Sequence, residues 1–418
     1  MNTTKYLLLF AVAILTVACA NKKEKMHCRI EGIVPDSTYT MMLLAPFDSD
    51  YRVDACDSIP VVDGKFAFDL YVDEILPYEL VSMDEYNKGM WFTCEFFAEE
   101  GTVNATFYHI EKDKRPTLKS ESPTNKRYVQ YDSVLRSMSL PLQQERDSLE
   151  KIGRWYSPRA MELEKIFYMA QDETTKDKVR EEMSALKESG KAFTPEYHAF
   201  KEKSEKMRAK RDKYIDDFIN NDSSLVGLFI LQRQAINNRD SSKESLFIAI
   251  FNEVYQPLFP NHSMSKKMET WVQSRGIKVG GRYIDFTAPA LDGTMHTLSK
   301  EITGQIALID LWASWCGPCR RSAMSMIPVY EAYKDKGFTI VGVAREENSE
   351  NMKRAIEKDG YPWLNLLELK DENKIWEKYG AGNSGGLTVL VNSDGTILAV
   401  WPTAEEVEQI LQNKLGNK

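Results

Sequence analysis

Two cysteines separated by two residues stand in the run Trp315-Cys316-Gly317-Pro318-Cys319, where an apolar stretch gives way to a helix-like pattern. A pair at that spacing can close a small disulfide ring and open it again. At a helix start the first cysteine meets unsatisfied N–H groups and the positive end of the helix dipole, and both favour its thiolate. An ordinary cysteine with a pKa of ~8.5 is mostly protonated at neutral pH, whereas cysteines placed in this way range over ~3.5–7.5. Cys316 is therefore the candidate nucleophile that attacks a substrate disulfide, and Cys319 is the candidate resolving thiol that releases the mixed disulfide. Trp315, Gly317 and Pro318 flank the pair and are candidate substrate contacts.

Other chemistries compete for the same residues. A structural zinc site needs four ligands, yet the chain holds no second Cys-x-x-Cys and His296 has no histidine partner in the sequence. Haem attachment needs histidine after the second cysteine, and Arg320 stands there. A purely structural disulfide of this short span stays open as a reading. Asp310, between Ile309 and Leu311, is either a strand-end polar residue or a buried carboxyl whose raised pKa lets it carry protons near neutrality. No phosphate loop, dinucleotide fingerprint or histidine cluster is evident, so neither cofactor nor metal is expected.

The segment Asp310-Leu311-Trp312-Ala313-Ser314-Trp315-Cys316-Gly317-Pro318-Cys319 resembles the active-site segment of thioredoxin and of the tethered thiol-disulfide oxidoreductases of the TlpA and ResA type. The resemblance runs from about Gly280 to Lys418. It implies a thioredoxin fold, disulfides of other proteins as substrates, and a catalytic role for Asp310 in moving protons to and from the resolving thiol. Gly317-Pro318 leans towards a reductase. The chain departs from the pattern twice. Ser322-Ala323-Met324 replaces the usual Glu-Met-Pro, with Pro328 one turn later, and the family's cis-proline falls on Gly386, or on Gly385 if the loop holds one extra residue. These two glycines are the remaining candidate substrate contacts. Without proline the peptide leading to Gly386 is expected to be trans, because a cis bond before another residue costs ~2.5–4 kcal/mol. The loop is then either more mobile, holding substrate less firmly, or glycine lets the same backbone path form. The alternatives are an envelope binding module with a redox-regulated thioredoxin-like domain, or a peroxidase related to peroxiredoxins, for which the threonine and proline expected before the cysteine are absent here.

Three kinds of pattern surround this motif. Residues 278–418 alternate between apolar runs and helical stretches, as an α/β thioredoxin fold requires. The strands expected are Gln305–Leu311, Phe338–Val343, Trp363–Leu369 and a final hairpin from Leu387, with helices from Cys319 to about Lys336, Ser349 to Asp359 and Asp371 to Tyr379. Residues 120–276 are rich in Lys, Glu and Arg, with apolar residues at helical spacing in Tyr214, Ile215, Phe218 and Ile219 and in Leu246, Phe247, Ile250, Phe251 and Val254. This central α-helical region reads as a spacer, or as a surface for docking or for a homodimer. Residues 27–110 alternate as strands do, with Asp63-Gly64 marking a hairpin, and read as an antiparallel β-domain, a small sandwich. Ile30-Glu31-Gly32, Val62-Asp63-Gly64-Lys65-Phe66 and Phe97-Ala98-Glu99-Glu100-Gly101 resemble the N-terminal β-domain of Bacteroidetes thioredoxin-like lipoproteins. Cys28, Cys56 and Cys94 lie in this domain, either as buried small apolar residues or with two of them paired.

Residues 1–19 carry Lys5, an apolar run from Tyr6 to Val17, and Ala18-Cys19. The run is too short to cross a bilayer comfortably and suits a secretory signal. Its end resembles the bacterial lipobox, which implies lipidation at Cys19 and attachment of the body to a membrane. The body then faces the periplasm of a Gram-negative envelope, where sustained reduction needs a membrane electron donor. Across 418 residues the hydrophobic share is 43%, the charged share 28% and the formal net charge -8. These values suit several soluble domains and argue against nucleic acid, which calls for a clustered basic surface.

Overall fold

The computed structural model describes residues 25–416, apart from 36–38, 52–53, 113 and 238–240. The signal segment and Cys19 lie outside the described residues. The chain divides into two compact units, one of residues 25–48 and 56–126, the other of Ser49–Ala55 and Arg127–Lys418.

The first unit contains β1 (Met26–Ile33), β2 (Met41–Pro46), β3 (Asp57–Pro60), β4 (Lys65–Val72), β5 (Leu76–Ser82), the short helix α1 (Met83–Tyr86), β6 (Cys94–Ala98), β7 (Gly101–Thr106) and β8 (Thr117–Ser120). They form two four-stranded sheets, ordered β4-β1-β7-β8 and β3-β2-β5-β6. Alternation along the strands sends Ile30, Met42, Leu44, Phe66, Leu80, Phe96 and Val103 into one shared core, so the sheets pack face to face. The pairings are antiparallel except that of β1 with β7, which run parallel. At the predicted turn, Asp63 and Gly64 take φ of 50° and 68°, the left-handed pair that a tight hairpin demands. Cys28 and Cys94 are buried in this core. Cys28 is not in a disulfide, and burial pushes its thiol up to about 11.

The second unit begins with helices α2 (Pro123–Lys151), whose first residues belong to the first unit, α3 (Pro158–Met169), α4 (Glu173–Glu188), α5 (Pro195–Asn221), α6 (Leu225–Asn237), α7 (Glu244–Ile250), α8 (Gln256–Leu258) and α9 (Ser263–Ser274). Among the described residues, no helix is long and apolar enough to cross a membrane. The expected apolar face of α5 packs through Tyr214 and Phe218 onto Tyr131 of α2, at ring-centroid distances of 5.6 and 4.5 Å. Ser224 precedes α6 and caps its start, its Oγ accepting the Val226 N–H at 3.2 Å. In α7, Phe247 and Ile250 are buried while Leu246 is exposed, so that predicted face is narrower than its apolar residues suggest.

The C-terminal part adds β9 (Thr287–Pro289), β10 (Met295–Thr297), α10 (Leu298–Glu301), β11 (Ile306–Trp312), α11 (Gly317–Tyr333), β12 (Phe338–Glu346), α12 (Ser349–Asp359), β13 (Leu364–Leu369), α13 (Ile375–Lys378), β14 (Leu387–Val391), β15 (Ile397–Val400) and α14 (Ala404–Leu415). Five strands make one sheet in the order β13-β12-β11-β14-β15, parallel among β11, β12 and β13 and antiparallel at β14 and β15. Strand β11 is buried along its whole length, so side chains at alternate positions feed two cores. Leu308 and Trp312 meet α11, α12 and α14 on one face, and Ala307, Ile309 and Leu311 meet α10 and α13 on the other. The helix expected from Asp371 to Tyr379 is shorter, with only Ile375–Lys378 helical. Asp371 and Lys374 take positive φ of 56° and 57°. The buried Glu368 carboxylate ties the intervening turn by accepting from the Asn373 N–H and Nδ2, each at 2.7 Å.

Candidate active site

Strand β11 delivers its last side chain, Trp312, into the core, where the indole Nε1–H donates to Asn365 Oδ1 at 3.0 Å. Gly342 on the neighbouring strand makes that bond feasible, since a Cβ there would stand 2.1 Å from Asn365 Oδ1 and 3.2 Å from Trp312 Nε1. The chain then turns through Ala313-Ser314-Trp315, closed by the Cys316 N–H donating to Ala313 O at 3.0 Å. Cys316 is the N-cap of α11, with extended backbone and its Sγ accepting the Cys319 N–H at 3.3 Å. Pro318 occupies the first turn, where its missing N–H costs no intrahelical bond. Cys316 and Cys319 are joined as a disulfide with Cα atoms 5.4 Å apart. Both cysteines are half-buried, while Trp315, Gly317 and Pro318 are exposed around them.

Asp310 lies two residues before Trp312 and so shares its side of the sheet, the side on which Cys319 packs. It is 3% exposed, and burial alone pushes its carboxyl up to about 7. A group titrating there can hold or release a proton near neutral pH.

The loop before β14 forms the opposite wall. Trp376 Nε1 donates to Ser384 O at 3.1 Å, and Ser384 Oγ to Gly386 O at 3.0 Å. A Cβ on Gly385 would stand 2.6 Å from Cys316 Sγ, and one on Gly386 would stand 2.0 Å from Leu311 O and 3.2 Å from Cys319 Sγ. Backbone therefore lies directly on the two sulfurs, closer than any side chain allows. Neither glycine has a positive φ, and the described residues contain no cis peptide bond. What these positions require is absence of a Cβ rather than unusual dihedrals, which fits the alternative that glycine lets the backbone reach the pair without proline.

Sequence reasoning missed several polar groups around the pair. Glu346, at the end of β12, takes both the N–H and the hydroxyl of Ser314. Arg320 donates to the Ser314 carbonyl and is held by Asp359, which also accepts from Tyr361. The Cys-Gly-Pro-Cys spacing carries no signal for Glu346, Asp359 and Tyr361, which come from further along the chain, and Arg320, although next to Cys319, meets its partners only in the fold. His296, weighed above for zinc, is instead 2.9 Å from Glu301. Among the described residues, no group of three or more His, Cys, Asp or Glu is placed to hold a metal ion.

Residues 279–400 match the model of the AhpC/TSA family. A thioredoxin-like protein, YneN, of Bacillus subtilis is 33% identical over 140 residues, covering 32% of this chain and 80% of that protein. The thiol-disulfide oxidoreductase ResA of Geobacillus thermodenitrificans is 25% identical over 146 residues, covering 34% of this chain and 82% of ResA. Among solved structures, the thioredoxin domain of a thiol-disulfide oxidoreductase from Bacteroides vulgatus is 30% identical, with a TM-score of 0.31, covering 33% of this chain and 97% of that domain. Through its C-terminal third, which carries the buried sheet and the dithiol pair, the chain belongs to the thioredoxin-like thiol-disulfide oxidoreductases.

Proposed function

We propose that this protein is a protein-disulfide reductase of the cell envelope, working through Cys316 and Cys319. The observation that carries the reading is the placement of Cys316 as N-cap of α11, its sulfur bonded to Cys319 and bordered by the bare backbone of Gly385 and Gly386. In the reduced enzyme the Cys316 thiolate attacks one sulfur of a substrate disulfide. A Cys316–substrate bond forms as the substrate S–S bond breaks, and the first substrate sulfur leaves as a thiolate. Cys319, deprotonated with help from Asp310, then attacks Cys316 Sγ and expels the second substrate sulfur. The substrate gains two electrons, the pair becomes the disulfide, and an external dithiol returns the electrons.

Trp315, Gly317 and Pro318 supply the exposed rim of the substrate site, and Gly385 and Gly386 its backbone floor. The N-terminal run ending in Ala18-Cys19 supports a lipid tether on Cys19, which puts the body in the periplasm and its electron donor in the membrane. The reading divides the chain at 1–19, 27–110, 120–276 and 278–418, with the first two folded parts presenting or dimerising the last.

The test uses the full chain lacking residues 1–19, with insulin as substrate and dithiothreitol as donor. Turnover above dithiothreitol alone is expected, lost in Cys316→Ser, while Cys319→Ser accumulates a mixed disulfide. A rate no greater than that of dithiothreitol alone would remove the reductase assignment.

A further inference from the structure

Ser314 sits two residues before the reacting cysteine, and all three of its polar groups are engaged. Its N–H donates to Glu346 Oε1 at 2.5 Å and its Oγ to Glu346 Oε2 at 2.8 Å. Its carbonyl accepts from Arg320 Nη1 at 3.2 Å. Glu346 is fully buried at the tip of β12 and is thirty-two residues away in sequence. Arg320, the residue after Cys319, is anchored in turn by Asp359, with Nε and Nη2 each 2.6 Å from a carboxylate oxygen. Tyr361 donates to the same carboxylate at 2.8 Å, and its ring stands edge-on to Trp312 at 5.2 Å.

A buried carboxylate is costly, and donors at both oxygens offset part of that cost. Burial holds the Glu346 carboxyl above the ordinary carboxylate range, while the Ser314 donors and the Arg320 charge pull it part of the way back. Arg320 and Asp359 offset each other in charge, which leaves Glu346 as the uncompensated negative group of the cluster. From these contacts we infer that Glu346 is a positioning residue. It fixes the turn that carries Cys316 by gripping Ser314 against Arg320, and its charge sets how readily the Cys316 thiolate forms. This rests on Cys316 being the nucleophile.

The grip and the charge have separable consequences. A unit charge close to a partly buried thiol, at an effective dielectric of ~20, alters the thiol–thiolate equilibrium by on the order of tenfold. Glu346→Gln keeps an acceptor for Ser314 and removes the charge. Glu346→Asp keeps the charge and shortens the reach. Ser314→Ala deletes one of the two donors and leaves the charge in place.

The experiment measures, for each variant and the parent, the pH dependence of Cys316 alkylation by iodoacetamide, the glutathione redox equilibrium and the insulin reduction rate. In Glu346→Gln, the Cys316 thiolate is expected to form about one pH unit lower. The dithiol form gains roughly tenfold against glutathione, which corresponds to about 30 mV. Glu346→Asp and Ser314→Ala are expected to lower the insulin rate several-fold while the alkylation profile and redox equilibrium stay at the parent values. If Glu346→Gln is less stable but leaves the profile and equilibrium unmoved, or if the charge-keeping variants shift them equally, the inference is overturned. Should Glu346→Gln not fold, Glu346→Asp and Ser314→Ala still decide, because a shift of the equilibrium in both contradicts a charge effect. A parent protein whose Cys316 is alkylated no more readily than an ordinary thiol overturns the nucleophile assignment itself, a failure distinct from the others.

Discussion

Asp310→Asn separates a proton carrier from a structural polar residue, and burial fixes the size of the effect. The carboxyl is 3% exposed and is pushed from its ordinary 3.8 to about 7 by burial alone. In the unfolded chain it titrates near ~3.9. Between those values the folded protein keeps a proton that the unfolded chain has released. The folded state binds more protons there, so stability falls as pH rises from about 4 to about 7, by up to ~1.4 kcal/mol per pH unit. Over roughly three pH units this sums to about 4 kcal/mol as an upper bound, since relaxation and water entry reduce the cost of burying a charge. Asparagine fills the same space and cannot ionise, so the variant escapes this loss. Urea unfolding of the disulfide form at pH 5 and pH 8 is expected to show the variant gaining on the parent by a few kcal/mol at the higher pH. The insulin rate moves the opposite way, falling about tenfold or more, because a positioned proton carrier contributes roughly 10²–10⁴ where proton transfer limits. Equal pH dependence of stability in both proteins would refute the burial argument. Equal pH–rate profiles would return Asp310 to a purely structural role.

Four further outcomes follow from close contacts and from the N-terminal motif. Gly385→Ala places a methyl against Cys316 Sγ, and overpacking of about 1–3 kcal/mol is expected in the urea midpoint of the disulfide form, with less mixed disulfide trapped in a Cys319→Ser background. Gly386→Pro in the same background is expected to trap no more substrate than Gly386, because its Cβ would collide with Leu311 O; an increase would mean that the missing proline limits substrate holding. Gly342→Ala drives a methyl into the Trp312–Asn365 bond and is expected to cost about 2 kcal/mol or more, read by urea unfolding; an unchanged midpoint would show that Asn365 swings away freely. Cys19→Ala is expected to abolish incorporation of labelled fatty acid and to release the protein from membranes, whereas unchanged labelling places the anchor elsewhere.

Much of the scaffold was legible because its signals are local. Gln305–Leu311 and Phe338–Val343 are apolar runs too short for helices, and both became buried strands. The helix expected near Ser349 to Asp359 is found there, capped at its start by Asn348 and ended by Gly360 with φ of 75°. Asp371 to Tyr379 was over-read because helical composition does not show a buried Glu368 capturing Asn373. The parallel pairing of β1 with β7 was also invisible, as alternation reports which face is buried and not which strand lies alongside. Within the site, the dithiol stands out by its spacing, whereas Asp310 and the glycine pair are singled out only by the resemblance to thioredoxins, where a carboxylate and a proline are expected. Glu346 was not legible, since a carboxylate after an apolar run reads as the solvated end of a strand, and only the folded sheet brings it to Ser314.

In the proposed mechanism the sulfur that caps α11 is also the sulfur that exchanges electrons, so the helix end and the redox couple share one thermodynamic cycle. Reduction converts a neutral cap into one that can carry charge at the positive end of a dipole, which stabilises the folded chain. Oxidation withdraws that charge and closes a ring. Around the cycle, the difference in unfolding free energy between dithiol and disulfide forms equals the difference in potential between the folded pair and the same pair in the unfolded chain. Every ~30 mV by which folding displaces the couple is therefore matched by ~1.4 kcal/mol in relative stability. In the proposed cycle each turnover would tighten and loosen the C-terminal fold, and sensitivity to a protease or a denaturant would then report the redox state of the pair.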